Sequence, residues 1–425
     1  MIFRIHPCNL QPATCTLKRK EMKNQKETKL KKPNIFLFMI ILPLFKLTAR
    51  FLFNARFRRD KRVKKLKSPF IVLGTHSSLP DVGLITVALS RRLNIVCGRD
   101  VFSWGWVKPI QNALGLLRIS QFSMDLSSLR IMKKATEQGL NLLLCPEGKI
   151  SIDGRNLHYL SPSLSKLLKM LGVPVVFVHS NGGHSSVPKW HKGGIRRGKV
   201  LTETKLLFTA EEVKSLPATE MQNTLIKHFT YNDHEYQREN KIRFKSKNPA
   251  LGLHFILFKC PKCLKEYENE STEHQLICNS CGNTVTYTEY GEIIPDNGSL
   301  AFAGIDDWYD FQRESIKNEV TAEGFYESHP VVWEQNLGSE YTECGEGELY
   351  INHEQIGFKG IDLNGEPIEF ATPLKTLHTI VQKTKEAVDL TVNGIIHRFY
   401  FREQKYSVRY TLLVEESFRK INEII

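Results

Sequence analysis

The stretch IVLGTHSSLPDVG, residues 71–83, decides the fold of the central part of the chain. It begins with four apolar or small residues, as expected of a strand that is buried on both faces of a sheet. The strand pattern ends just before His76, and Asp81 follows where a helical pattern begins. Loops at strand ends carry many catalytic and binding residues. His228 and Asp233 have the same spacing with no strand before them, so we interpret that second pair as structural.

Similar patterns on both sides of this stretch predict an alternating α/β domain over residues 68–245. Short apolar runs bounded by Gly, Pro or Asn indicate buried strands, and helical patterns separate them. Because the carboxyl ends of parallel strands share one edge of a sheet, we expect the loops that follow them to converge. The predicted strands are FIVLG (70–74), NIVCG (94–98), LNLLLC (140–145) and VPVVFV (173–178), and the predicted helices include residues 81–93 and 125–139.

Short motifs follow or open these strands. Pro146-Glu147-Gly148 comes after the third predicted strand, and Val173-Pro174-Val175 opens the fourth. With the His76-to-Asp81 block, this set resembles the glycerolipid acyltransferase family, whose best-known members are the 1-acylglycerol-3-phosphate acyltransferases. The resemblance covers roughly residues 50–230. A second family block is only loosely present in residues 98–120.

The resemblance implies a membrane-bound acyltransferase that moves a fatty acyl group from acyl-CoA or acyl-carrier protein to a lysophospholipid hydroxyl. His76 is then the general base and Asp81 its orienting partner, with no covalent intermediate. A neutral imidazole can accept the hydroxyl proton near physiological pH. A neighbouring carboxylate can fix the tautomer of the ring and stabilise the imidazolium.

Two departures from the family pattern concern the acceptor site. The family motif Pro-Glu-Gly is typically followed by Thr-Arg, whose arginine holds the acceptor phosphate, whereas this chain has Lys149-Ile150. The second block commonly ends in Ile-Asp-Arg, whereas residues 119–121 read Ile-Ser-Gln. Lysine is a point charge and arginine a bidentate fork, so phosphate recognition is altered or relocated. Lysophosphatidic acid and other lysophospholipids both remain open as acceptors. The predicted acceptor-binding residues are Glu147, Gly148, Lys149, Arg99 and Arg118, with Arg155 as a further candidate cation.

The N-terminal part of the chain carries the net positive charge of the protein. The formal net charge is +14, and residues 18–67 contain 18 Lys and Arg against 3 Asp and Glu. Residues 1–33 are predicted to be a disordered basic tail. Residues 34–67 are predicted to be a membrane-associating helical segment, monotopic or spanning, that holds the protein at the cytoplasmic face through apolar insertion and attraction to anionic lipid. No cleavage site follows the apolar run, so a signal peptide is disfavoured.

Four of the nine cysteines form the pairs Cys260/Cys263 and Cys278/Cys281. Two such pairs predict a zinc ribbon over residues 255–292, with tetrahedral coordination by four thiolates and no open position for catalysis. The zinc is therefore expected to be structural. The remaining cysteines are scattered singly, which favours a reducing compartment. Mixed charge around the pairs disfavours nucleic acid as a partner and favours a protein contact.

Residues 305–425 are predicted to be a mostly-β domain that ends in a helix and resembles the pleckstrin-homology/GRAM superfold. Alternating strand patterns separated by Gly-containing turns carry this prediction. The fold class is thus an α/β acyltransferase domain with an N-terminal membrane-associating helix, a small zinc ribbon and a β-rich C-terminal domain. A catalytically silent lipid-binding adaptor on the same scaffold is the alternative function.

Overall fold

The structure is a computed structural model. The predicted disordered tail lies almost wholly outside the described residues, as do Ser120 and Gln121 of the second family block. The residues described are 30–119, 126–156, 159–336, 340–383 and 386–424.

The centre of the protein is a seven-stranded sheet with the order β1-β8-β7-β2-β5-β3-β4. Strands β7, β2, β5, β3 and β4 run parallel to one another, whereas β8 is antiparallel to β7 and pairs in parallel with β1. A separate short ladder joins β6 to β9. The strands are β1 (Arg56–Arg59), β2 (Ile71–Gly74), β3 (Asn94–Gly98), β4 (Leu117–Ile119), β5 (Leu142–Leu144), β6 (Arg155–Asn156), β7 (Val175–Asn181), β8 (Leu201–Phe208) and β9 (Tyr231–Asn232).

Both faces of this sheet are covered, as the continuous apolar runs predicted. Ile71 and Leu73 of β2 pack in one core cluster, and Val72 between them packs in another on the opposite face. All three side chains are fully buried. The helices associated with this part of the chain are Lys61–Lys65, Asp81–Leu89, Gln111–Leu114, Leu126–Glu137, Ser163–Leu171, Gly183–Ser186, Ala210–Ser215, Ala218–Phe229 and Asp233–Glu239.

An N-terminal helix, Ile35–Phe53, packs on the outside of this domain. Ala49 and Phe53 are buried, and the Phe45 ring lies directly over Gly83. Most of its other apolar side chains stay exposed: Phe36 is 72% exposed and Leu47 67% exposed. The helix is long and apolar enough to cross a membrane, judged by length and composition alone.

The prediction of one helical segment over residues 34–67 was wrong in its second half. The helix ends at Phe53, where Asn54 takes a left-handed conformation with φ of 46°. Residues 56–59 then pair with β8 at the edge of the central sheet. A strand forms here because Arg and Phe alternate in the sequence, and alternate side chains of a strand point to opposite faces of the sheet. Phe57 is therefore half-buried, whereas Arg56 is exposed.

The four paired cysteines lie beside a small antiparallel sheet, with Cys278 at the end of one of its strands, and the β-rich C-terminal domain follows. The two share one core, in which Leu276 and Val285 of the small sheet join Trp308, Phe399 and Leu413. The small sheet has the order β10-β11-β12-β13 and the C-terminal sheet the order β17-β16-β15-β14-β20-β19-β18.

The bounds of these later elements complete the description of the chain. The strands are β10 (Asn269–Ser271), β11 (Gln275–Cys278), β12 (Thr284–Tyr287), β13 (Ile293–Pro295), β14 (Tyr326–Asn336), β15 (Tyr341–Asn352), β16 (Gln355–Asp362), β17 (Pro367–Pro373), β18 (Val381–Lys383), β19 (Ala387–Val392) and β20 (Ile395–Phe401). Strand β13 extends past residue 292, where the sequence predicted the ribbon to end. Two helices, Ile305–Thr321 and the C-terminal helix Ser407–Ile421, pack together against these strands.

The C-terminal domain docks on the central sheet through a cluster of charges around Asp100, which follows β3. The Asp100 carboxylate accepts from Lys383 at 2.6 Å, from the Tyr341 hydroxyl at 2.7 Å and from Arg398 at 3.1 Å. Burial alone would raise the pKa of Asp100, but Lys383, Tyr341 and Arg398 outweigh it and lower that pKa. Asp100 therefore ties a strand-end loop of the central sheet to three residues of the C-terminal domain.

Replacing Asp100 by Asn is expected to destabilise the protein by about 2 kcal/mol or more, because the partly buried Lys383 and Arg398 lose one of their two charged partners and keep only Asp389. Thermal unfolding of the full chain measures the loss. Glu346→Gln is the matched control, since Glu346 pairs with Arg402 in the same domain with both side chains about half exposed. That exposed pair is expected to contribute less than about 1 kcal/mol. Equal losses in the two variants would contradict the anchoring role of Asp100.

Candidate active site

The predicted site residues lie at the carboxyl edge of the parallel strands. His76 follows β2, Glu147 follows β5, and Arg99 directly follows β3. These three strands are consecutive neighbours in the sheet. The topology therefore brings their loops to one edge, as expected from the strand pattern.

His76 and Asp81 approach each other closely. The distance from His76 Nδ1 to Asp81 Oδ2 is 3.7 Å, and the aspartate side chain is 1% exposed against 22% for the histidine. His76 Nδ1 is buried and has no hydrogen-bond partner among the described residues. A shift of a few tenths of an ångström would bring the pair into hydrogen-bond range, and such contacts are often long in a site without substrate.

The Asp81 carboxylate is fixed by two serines of the same loop. Its Oδ2 accepts from the Ser78 backbone N–H at 2.6 Å, and its Oδ1 accepts from the Ser78 hydroxyl at 2.8 Å. The Ser77 hydroxyl lies 3.4 Å from Oδ2. We did not single out these serines from the sequence. The signal was present, because Ser78 and Asp81 have the Ser-x-x-Asp spacing of a helix capping box.

The backbone of His76 is held on both sides by the loop after β5. The His76 N–H donates to Glu147 Oε1 at 3.0 Å, and the His76 carbonyl accepts from the Ser151 N–H at 2.9 Å. Burial raises the pKa of Glu147 to about 8, and the nearby Asp81 carboxylate adds to the shift. Glu147 thus contacts the His76 backbone, and Ser151 is a third residue, after Ser77 and Ser78, that sequence reasoning missed.

Gly148 supplies the turn that makes this double contact possible. It has a φ of +69°, in the left-handed region that residues with a side chain rarely adopt. Its N–H donates to the Cys145 carbonyl at 3.1 Å and closes the turn. Both Glu147 and Ser151 are thereby directed toward the His76 loop.

Lys149 lies against the C-terminal domain. Its Nζ donates to Thr379 Oγ1 at 2.6 Å and to Glu415 Oε1 at 2.5 Å. A cavity runs along this contact, and its walls include Glu147, Lys149 and Glu415. The predicted acceptor contact therefore lies between two domains, next to the residue that holds His76.

The other predicted cations are distributed differently. Arg155 lines the same cavity but is paired with Asp153 at 2.7 Å and Asp310 at 2.6 Å. Arg118 packs its guanidinium over the Phe102 ring at 4.3 Å. Arg99 Nε is buried without a hydrogen-bond partner among the described residues. Arg99 and Arg118 stand on the β3 and β4 side of the sheet and do not line the cavity beside Lys149.

The second His–Asp pair has a different environment from the first. Asp233 is fully buried and accepts from the Gly182 and Ser185 backbone N–H groups, both at 2.6 Å. His228 instead contacts Lys205 Nζ at 2.7 Å. The aspartate holds the turn after β7 and the histidine faces another strand, so the two side chains have separate partners.

The four paired cysteines converge on one point. Their Sγ atoms all lie within 4.8 Å of one another. The Sγ distances are 3.7 Å from Cys260 to Cys281 and 3.7 Å from Cys263 to Cys278. Tetrahedral zinc with Zn–S bonds of about 2.3 Å requires sulfur atoms about 3.8 Å apart. The residues present therefore fit a four-thiolate zinc site.

Both cysteine pairs use the same turn. Leu264 N–H donates to the Cys260 carbonyl at 3.0 Å, and Gly282 N–H donates to the Cys278 carbonyl at 2.9 Å. Leu264 has a φ of +64° and Gly282 a φ of +70°. Leucine is strained there by about 1–2 kcal/mol, whereas glycine is not. The shared turn points both thiols of each pair to the same side.

Cys263→Ser is expected to remove bound metal and lower thermal stability, because three thiolates hold zinc less tightly and the small sheet shares its core with the C-terminal domain. Metal analysis of the purified full chain should give about one zinc per wild-type chain. Cys344→Ser is the control, since Cys344 lies on β15 outside the cluster. Equal metal content in the two variants would contradict the assignment.

The raised pKa of Glu147 predicts a pH-dependent stability. In the folded protein Glu147 keeps a proton that the same residue releases above about pH 4.5 in the unfolded chain. The free energy of unfolding should therefore fall as the pH rises from about 4.5 toward about 8. The slope is at most about 1.4 kcal/mol per pH unit. Glu147→Gln keeps an oxygen for the His76 N–H and should remove this slope. Unfolding of both proteins between pH 5 and 8 tests it, and parallel pH profiles would contradict a neutral Glu147.

Among the comparisons with known proteins, the match to a family model coincides with these motifs. No curated protein matches the chain significantly. Among matching solved structures is the 1-acyl-sn-glycerophosphate (LPA) acyltransferase PlsC from Thermotoga maritima, at 19% identity and a TM-score of 0.39, covering 49% of this chain and 82% of that one. A family model described as Acyltransferase matches residues 54–180, the stretch that carries His76, Asp81 and the Pro146–Gly148 turn. Residues 54–180 therefore form an acyltransferase domain, as the motifs predicted.

Proposed function

We propose that this protein transfers a fatty acyl group from an acyl thioester, acyl-CoA or acyl-carrier protein, to the hydroxyl of a lysophospholipid. The observation that carries the proposal is the 3.7 Å approach of His76 Nδ1 to the buried Asp81 carboxylate at the strand-end edge. The acyltransferase domain of residues 54–180 supplies the reaction class. The acceptor can be lysophosphatidic acid or another lysophospholipid.

In this proposal His76 is the general base. With its Nδ1–H directed at Asp81, the Nε2 atom takes the proton of the acceptor hydroxyl as the oxygen attacks the thioester carbonyl. The C–O bond forms, the C–S bond breaks, and the proton passes from the imidazolium to the departing thiolate. No covalent acyl-enzyme is required, because a thiolate is a good leaving group. Glu147 and Ser151 contribute by fixing the His76 backbone, and Lys149 contacts the acceptor phosphate.

The N-terminal helix Ile35–Phe53 would bring the site to its substrates at the cytoplasmic face of a membrane. Its exposed apolar side chains fit insertion into lipid, and the basic residues on both sides fit an anionic surface. The helix packs through Phe45 on Gly83, in the helix that begins with Asp81. Lipid insertion would thus take place close to the catalytic loop.

Zinc at the four cysteines would be structural in this proposal. When bound, it would crosslink the two turns, which lie next to the core shared with the C-terminal domain. The seven antiparallel strands and terminal helix of that domain support the predicted pleckstrin-homology/GRAM likeness. A protein contact through the ribbon or this domain stays a prediction. The ordered pair of His76 and Asp81 favours an enzyme over a silent adaptor.

The test is acyl transfer from labelled acyl-CoA by the full chain in vesicles that contain a panel of lysophospholipids. His76→Ala should lower kcat about 10²- to 10⁴-fold, the usual contribution of a general base. The matched control is His228→Ala, which removes the histidine of the other His–Asp pair and should stay within twofold of wild type. Zinc content verifies folding of each variant. Transfer that survives His76→Ala would exclude the proposed base.

A further inference from the structure

Two extended segments outside the N-terminal basic region place five cations around one surface groove, which we call the basic groove. No carboxylate of the described residues lines this groove. All five cationic side chains are exposed. The sequence does not reveal the cluster, because its members come from two segments that lie far apart in the chain. They are Arg197, Lys199, Lys241, Arg243 and Lys245.

A two-way backbone contact brings the two segments together. The Arg197 N–H donates to the Lys245 carbonyl at 3.2 Å, and the Lys245 N–H donates to the Arg197 carbonyl at 2.9 Å. In an antiparallel pair of this kind the two side chains lie on the same face. The adjacent residues Gly198 and Phe244 are buried, and a Cβ on Gly198 would lie 2.2 Å from the Phe244 ring. Glycine at position 198 therefore permits the packing that leaves the cations on the outer face.

The charges of the basic groove are poorly balanced by the protein itself. Like charges directly opposite each other in such a pair are destabilising. Glu289 pairs with Arg243 at 2.5 Å, and it is the only carboxylate among the described residues in an ion pair with any of the five cations. Within the same part of the chain, the side chains of Lys199, Lys241 and Lys245 have no hydrogen bond or ion pair. An anion bound in the groove would relieve this repulsion.

The basic groove borders the exposed apolar side of the N-terminal helix. Arg197 Nε donates to the Phe51 carbonyl at 2.9 Å, and the guanidinium lies 5.8 Å from the centre of the Phe51 ring. Phe51 is 71% exposed, and Asn54, which ends the helix, lines the groove. Cations beside an exposed apolar ring fit the boundary between lipid head groups and acyl chains, where the ring enters the bilayer and the charges stay with the phosphates. A nucleic acid would leave the ring in water.

We propose that the basic groove binds the phosphates of anionic lipids in a bilayer, as a second membrane contact separate from the helix and its basic flanks. The proposal extends the membrane association of the proposed function and does not require acyl transfer. The groove is built from the folded domain through the backbone pair of Arg197 and Lys245. It would therefore set the orientation in which the domain rests on the bilayer, which a single helix leaves undetermined.

The first experiment measures the affinity of the full chain for phosphatidylcholine vesicles with and without phosphatidylserine, at one ionic strength. The ratio of the two affinities separates the electrostatic contribution from insertion of the helix. The triple variant Lys199→Gln, Lys241→Gln, Lys245→Gln should lower this ratio about 100-fold, because one basic residue at an anionic surface contributes about fivefold. Zinc content verifies that the variant is folded.

The triple variant Lys317→Gln, Lys359→Gln, Lys375→Gln is the matched control. It removes the same charge from three exposed lysines of the C-terminal domain, and it should keep the wild-type ratio within twofold. If the loss in the groove variant is less than tenfold greater than the loss in the control, net charge alone explains the binding and the proposal is overturned. A groove variant that keeps its vesicle affinity and loses affinity for double-stranded DNA would also overturn it, in favour of a nucleic-acid surface.

A footprinting measurement on the wild-type protein needs no variant. With the protein fully bound to vesicles, acetylation of Lys199, Lys241 and Lys245 by acetic anhydride should be at least threefold slower when phosphatidylserine is present than in phosphatidylcholine alone. The three control lysines should react at equal rates in both. Equal rates at the groove lysines would overturn the proposal, as would equal protection by coenzyme A, which would assign the groove to soluble phosphates. If the groove lysines are protected and no lysophospholipid is acylated, the acyl-transfer proposal fails and the membrane contact is supported.

Discussion

The candidate active site depends on the two-sided attachment of the His76 backbone to the loop after β5. Glu147 accepts the His76 N–H, and the Ser151 N–H donates to the His76 carbonyl. Because these are main-chain contacts of His76, they set the position of the residue whatever rotamer its ring adopts. The serine-bound Asp81 can then lie 3.7 Å from the ring while keeping its own hydrogen bonds. A histidine on a loop without such support would lose the geometry that general-base chemistry requires.

The C-terminal domain extends this support beyond the central sheet. Asp100 after β3 and Lys149 after β5 both pair with that domain, so two of the strand-end loops are held from outside. Each contact is partly buried and charged, so removing one partner costs more than the pair itself contributes. Such contacts specify how the domains fit together more than they add stability. The edge of the sheet that carries the candidate active site is accordingly held by residues of both domains.

Much of the fold was predictable because it has local signals. The buried strands 71–74, 142–144 and 175–181 were visible as apolar runs, and the cysteine cluster as two spaced pairs. The edge strand 56–59 was missed, because the alternation of Arg and Phe directly after an apolar helix is also compatible with a continuation of that helix. His76, Asp81 and Glu147 were identified from motif and strand context. Glu415 could not be found, because 266 residues separate it from Lys149 and no local pattern marks the contact.

The two buried carboxyl groups next to His76, Asp81 after β2 and Glu147 after β5, lie in different environments. Asp81 receives hydrogen bonds from a backbone N–H and a hydroxyl, which stabilise its negative charge beside the imidazole. Burial raises the pKa of Glu147 to about 8, so this carboxyl group is largely neutral at physiological pH. With Glu147 neutral, the negative charge that balances Lys149 comes from Glu415 of the C-terminal helix, so the acyltransferase domain alone would leave that lysine without its counter-ion.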